Sequence, residues 1–162
     1  MFQFLYRLRL ILPLIFLSGY IHSSGFLRTD GRSIVDENGN PVLLRGFGLG
    51  GWLVQEGYMW NIHGFFGSPS NIESKIIDLV GTENTAAFYQ AYYENYITEA
   101  DVAFIAANGF NAIRVPFHYK FFSPAPGEYV QDGFNLIDQL LEWCSAYGVY
   151  LILDMHCAPG AQ

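Results

Sequence analysis

Three short apolar runs that do not alternate with polar residues constrain this chain most. They cover residues 43–49, 110–116 (Phe-Asn-Ala-Ile-Arg-Val-Pro) and 149–153, and segments of helical character separate them. An unalternating apolar strand is one covered on both faces, the condition of a parallel sheet with helices packed on it. The order strand, helices, strand, helix, strand therefore predicts an α/β chain. At this spacing, three β/α steps begin either a doubly wound sheet or a (β/α)8 barrel.

Local signals place the remaining elements. Residues 26–29 and 33–35 flank Asp30-Gly31 and predict a hairpin ahead of the first apolar run, with a second turn over residues 36–41. Ser70 with Glu73 reads as a capping box for a helix over 71–80, and 83–96 continues as a second helix after Gly81-Thr82. Thr98 with Asp101 caps a third, which Asn108-Gly109 stops. Residues 134–147 carry apolar side chains at 136, 137, 140, 141 and 144, a helical spacing, and Gly148 ends that segment. Tyr89, Tyr92, Tyr93 and Tyr96 fall at i, i+3, i+4 and i+7, one helix face turned toward the sheet.

The N-terminus reads as a targeting segment. Arg7 and Arg9 precede an apolar run over residues 10–17, and small and polar residues follow, the order of a secretory signal peptide. Pro13 interrupts that run, which is well short of the ~20 residues that a spanning helix needs. Residues 1–24 are thus expected to be removed on export, leaving 25–162 as the folded part and no membrane attachment. The formal charge of −7 becomes −9 once Arg7 and Arg9 leave with that segment. A surface this acidic repels nucleic acid and anionic membrane and leaves neutral or cationic partners. Cys144 and Cys157 are too few for a disulfide scaffold, and their pairing stays open; no metal-type Cys/His spacing occurs. The run Gly46-Phe47-Gly48-Leu49-Gly50-Gly51 has the glycines of a phosphate loop, yet an aromatic loop follows it instead of a helix, which argues against nucleotide binding.

In a barrel the C-terminal ends of the strands face the active site. Those positions hold Trp52 and Glu56 after the first run, Arg114, His118 and Tyr119 at the second, and Asp154 and His156 at the third. Aromatic faces stack on pyranose rings, arginine orients a carboxylate, and His or Glu hydrogen-bonds hydroxyls, so the set points to sugar recognition. Asp154 is read as structural, holding loop backbone or a neighbour. Cys157 reads as a packing residue, and His63 has no assignment.

Three stretches that hold most of these residues resemble glycoside hydrolase family 5, in particular its cellulase and exo-β-1,3-glucanase-like members. They are Leu44-Arg45-Gly46 through Gly50-Gly51-Trp52-Leu53, then Asn111-Ala112-Ile113-Arg114-Val115-Pro116-Phe117-His118-Tyr119, then Leu153-Asp154-Met155-His156-Cys157-Ala158-Pro159-Gly160. The resemblance implies a (β/α)8 barrel, represented here by the hairpin and the first three strands. It also implies retaining hydrolysis of β-linked glycans by two glutamates about 5–5.5 Å apart, with no metal or organic cofactor. Arg114 matches the arginine that hydrogen-bonds the nucleophile, His156 a histidine that contacts the reactive sugar, and Glu56 a substrate-binding glutamate; Trp52, His118 and Tyr119 join the substrate side. In the family the acid/base glutamate follows the fourth strand and the nucleophile the seventh. The expectation is therefore a chain that stops, at Gln162, before both glutamates and is inactive alone. Two rival expectations are a non-catalytic chain that binds glycan or a partner, and another barrel enzyme with a similar beginning.

Overall fold

The computed structural model describes residues 25–61 and 67–160. The expected signal peptide and His63 lie outside them. The chain opens with a hairpin, β1 (Arg28–Asp30) antiparallel to β2 (Ser33–Val35), with Thr29 opposite Ile34. Gly31 takes a positive φ of 58° in the turn between them, the conformation for which the Asp-Gly pair was read. In the second turn the Asp36 carboxylate accepts from the Asn38 and Asn40 backbone N–H groups, which closes it locally.

A parallel sheet follows, in the order β3 (Gly46–Gly48), β4 (Ala112–His118), β5 (Tyr150–Cys157). Gly48 aligns with Arg114, and Arg114 with Ile152. Between β3 and β4 run α1 (Pro69–Val80), α2 (Thr82–Tyr96) and α3 (Glu99–Ala107). A 3₁₀ turn (Tyr119–Phe121) and α4 (Asp132–Ala146) connect β4 to β5. Ile113, Val115 and Phe117 on one side of β4 meet Val102 and Ile105 of α3 and Ile137, Leu140 and Cys144 of α4 in the core. The opposite side carries Arg114.

Two expectations need correction. Only β4, the central strand, is buried at every position but one, Arg114; β3 is exposed, and on β5 Leu153 and Met155 keep 56% and 54% of their surface. β3 and β5 are the two edges of this sheet, so each lacks cover that β4 receives from its neighbours. The first helix, moreover, is capped by Ser68, whose Oγ accepts from Asn71 N at 3.3 Å, with Pro69 opening the first turn; Ser70 already lies inside the helix. A proline in the first helical position loses no needed N–H, which fixes the start two residues earlier than the Ser70/Glu73 pair predicts. By contrast, the Thr98/Asp101 capping box forms in full: Thr98 N donates to Asp101 Oδ2 at 2.8 Å.

Candidate active site

Alternate residues of a strand share a face. Arg114 of β4 therefore lies on the side of the sheet that also holds Asp154 and His156 of β5, the side opposite the helices. Asp154 pairs in register with Pro116, so the Arg114 side chain runs along the strand to reach it. There Arg114 Nη2 donates to Asp154 Oδ2. His156 Nδ1 lies 3.2 Å from the same carboxylate oxygen and 3.3 Å from Arg114 Nη2. All three side chains remain partly open to solvent, between 31% and 45%. Two residues singled out in the sequence, Arg114 and His156, are thus brought together, and the link between them is Asp154.

The loop after β3 delivers Glu56 to the same end of the sheet. Leu53 forms a parallel bridge with Phe117, and His118 N donates to Leu53 O at 3.2 Å, which tethers the loop beside the end of β4. Glu56 accepts from the Tyr58 hydroxyl at 3.2 Å. Burial raises the Cys157 thiol above its usual range, and the carboxylates of Glu56 and Asp154 push it further, so these three groups share one neighbourhood. Tyr58, largely exposed, is not singled out by the sequence; it lies two residues beyond Glu56 in a turn that Met59 N closes onto Glu56 O at 3.0 Å.

Trp52 and His118 sit differently from expectation. Trp52 is 2% exposed, and its Nε1 donates to Tyr93 O at 3.1 Å. An indole that stacks on a sugar needs an open face, and this one is packed under the loop. His118, 8% exposed, is buried rather than at a rim; its Nδ1 accepts from Lys120 N at 3.2 Å. Tyr119 is half-buried with its ring beside that of His118, centroids 4.8 Å apart. The tyrosine face of α2 anchors the same loop: Tyr92 donates to Gly51 O, Tyr96 to Gly50 O at 3.3 Å and Tyr89 to Gln55 Oε1 at 3.4 Å. A cavity of about 330 Å³ lies between loop and helices, with Gln55, Glu73, Tyr89, Tyr93, His118 and Lys120 on its walls.

Among the described residues no group of three His, Cys, Asp or Glu side chains is arranged to hold a metal ion, and no helix is long and apolar enough to cross a membrane. Cys144 and Cys157 are both buried thiols, and burial pushes Cys144 up to about 11. Chemically, the strand-end cluster can bind a further anion and polar hydroxyls. Arginine carries five N–H donors, and Asp154 engages one nitrogen of the guanidinium.

Comparison with known proteins places this arrangement. The family model for cellulase (glycosyl hydrolase family 5) matches residues 70–161, more than half of the chain. A β-xylosidase of Phanerodontia chrysosporium is 39% identical over 139 residues, covering 85% of this chain and 29% of that protein. Glucan 1,3-beta-glucosidase 1 of Schizosaccharomyces pombe is 33% identical over 141 residues, 80% of this chain and 35% of its own length. The chain therefore spans about a third of the length of these relatives. Among solved structures, AoRut superposes with a TM-score of 0.58 at 26% identity, over 72% of this chain and 33% of that one. A rutinosidase from Aspergillus niger gives the same TM-score at 22% identity, a likeness of fold. With the family model covering most of the helices and both long strands, the chain belongs to glycosyl hydrolase family 5.

Proposed function

We propose that the protein hydrolyses O-glycosidic bonds in β-glucan-type polysaccharides by a retaining, two-carboxylate mechanism, on a (β/α)8 barrel whose first three strands are β3, β4 and β5. The observation that carries this reading is the Arg114–Asp154–His156 cluster, in which the Arg114 side chain reaches along β4 to the C-terminal half of the adjacent parallel strand β5 in a family 5 chain. In this reading Arg114, with donors left beyond Asp154, holds the nucleophile carboxylate ionised and oriented. His156 and Glu56 hydrogen-bond the sugar at the cleaved bond, and Tyr119 borders the cleft. Trp52 and His118 act from beneath, by fixing the loop that presents Glu56. The two glutamates of the chemistry come from the fourth and seventh strands, and no metal or organic cofactor takes part. Residues 1–24 direct export as a signal peptide, and residues 25–162 form the N-terminal part of the catalytic domain. The partner is a β-linked oligo- or polysaccharide outside the cell, in keeping with the acidic surface.

The test is to express the product of the complete gene and assay it on laminarin, carboxymethylcellulose and aryl β-glucosides and β-xylosides, following the anomer first released. Turnover with retention, reduced about 100-fold or more in kcat/KM by Arg114→Ala, supports the proposal. Glycan binding with no turnover refutes it and favours a non-catalytic binding role.

A further inference from the structure

Asp154 stands at the centre of the strand-end cluster, and its surroundings give it a specific task. A single oxygen, Oδ2, takes the Arg114 Nη2 donor and lies 3.2 Å from His156 Nδ1. An ion pair as exposed as this contributes little to folding, so its main consequence is geometric. Arginine only donates, and a carboxylate only accepts. If Nδ1 carried no proton, its lone pair would face the lone pairs of Oδ2 at that distance. With a proton, Nδ1 donates to a charged acceptor, the stronger kind of hydrogen bond. The Arg114 contact at 3.3 Å offers the competing arrangement, in which a bare Nδ1 accepts from Nη2. Nη2 keeps a second N–H beside the one given to Asp154, but a bare Nδ1 that accepted it would still face the closer carboxylate oxygen at 3.2 Å.

We propose that Asp154 is a positioning residue for the site: it fixes the Arg114 guanidinium and holds His156 as the Nδ1–H tautomer. Nε2, at the far edge of the ring, is then bare and accepts a hydrogen bond from a substrate hydroxyl. This last step rests on the hydrolase reading above; the tautomer does not. Asp154 touches neither substrate nor reacting atoms and acts through its two neighbours.

The experiment is long-range ¹H–¹⁵N correlation NMR on the full-length protein with ¹⁵N-labelled histidine, at about pH 8, where an ordinary imidazole is neutral. The His156→Gln variant identifies the ring's signals among those of the other histidines. The wild-type protein is expected to show His156 with Nδ1 protonated and Nε2 bare, and Asp154→Ala to move the proton toward Nε2. A wild-type His156 protonated on Nε2 overturns the proposal, and so does a tautomer that Asp154→Ala leaves unmoved. The wild-type spectrum decides even where the variant does not fold. In kinetics, Asp154→Ala is expected to lose about 100-fold in kcat/KM, the scale of a misplaced positioning contact, and to add little on top of His156→Ala and Arg114→Ala together. Full additivity there overturns it. An Nδ1–H tautomer in a protein that hydrolyses no glycan leaves the Asp154 assignment standing and refutes only the hydrolase reading.

Discussion

Gly46→Ala and Gly48→Ala lie two residues apart on one face of β3, and they are expected to behave in opposite ways. Gly46 aligns with Ala112 of the central strand. A Cβ built there falls 2.2 Å from the Ala112 carbonyl oxygen and 2.8 Å from its carbonyl carbon. Carbon–oxygen contacts settle near about 3.3 Å, so some 1 Å of movement is required. The obstacle is backbone, and it belongs to the strand whose neighbouring side chains, Ile113 and Val115, are fully buried. The movement therefore falls on β3, at the expense of the bonds that seat it: Ala112 N to Arg45 O at 3.1 Å and Leu49 N to Arg114 O at 2.8 Å. Overpacking costs about 1–3 kcal/mol, and a backbone obstacle puts this case at the upper end. The reduced freedom of the unfolded chain offsets about 0.4–1 kcal/mol of that, leaving a net loss of roughly 2 kcal/mol. At Gly48 the nearest atom to an added Cβ is Arg114 Nη1 at 3.7 Å, an ordinary contact. There the unfolded-state gain stands nearly alone, and a change between zero and about 1 kcal/mol in favour of folding is expected. Urea denaturation with an unchanged m-value measures both. A Gly46→Ala protein within about 0.5 kcal/mol of wild type, or a Gly48→Ala protein as weakened as Gly46→Ala, refutes the reasoning.

The corrected cap predicts that Ser68→Ala costs about 1 kcal/mol, whereas Ser70→Ala stays within about 0.5 kcal/mol; urea midpoints of the two variants compare them. Burial holds the Tyr92 and Tyr93 hydroxyls above their usual range, and burial with the nearby Glu73 carboxylate raises Tyr89 to about 12. The folded state thus binds these protons more tightly than the unfolded chain. Their contribution is complete below the ordinary value of 10.0 and is lost as pH rises toward about 12. Urea midpoints taken across that window should fall, and Tyr89→Phe should flatten part of the slope; a flat profile in the wild-type protein contradicts the assignment. Both buried thiols should stay silent to a thiol reagent at neutral pH and react together on denaturation, which absorbance at fixed denaturant steps would follow.

Much of the local structure was legible because its causes are local. The Asp30-Gly31 turn, the Thr98/Asp101 box and the glycine stops after α3 and α4 depend on residues a few positions apart, and all form as read. The start of α1 lies at Ser68-Pro69 and not at Ser70, since a serine before a proline outranks a serine inside the first turn. The tyrosine face of α2 was recognisable from its spacing. What spacing does not contain is the partner, and the Gly50, Gly51 and Gln55 anchors required the fold. Burial is non-local for the same reason. Trp52 and His118 occupy strand-end positions that look alike in sequence to those of Arg114 and His156, yet α2 and the loop after β3 cover them.

The site itself shows where positional reasoning stops. Counting to the ends of apolar runs finds Arg114 and His156 without any knowledge of how β4 meets β5. Register decides whether they meet. Because Pro116, not Arg114, aligns with Asp154, the guanidinium has to climb two residues, about 6.6 Å of strand, to reach the carboxylate. Only a long side chain covers that distance, and a forked one can do so while keeping donors free for another anion. A register shifted by one residue would send Asp154 and His156 to the helix side, across the sheet from Arg114. The identity of Asp154 as the joint between the two predicted residues therefore belongs to the pairing of strands. A reading of the third strand alone reaches it only as a structural aspartate beside a histidine.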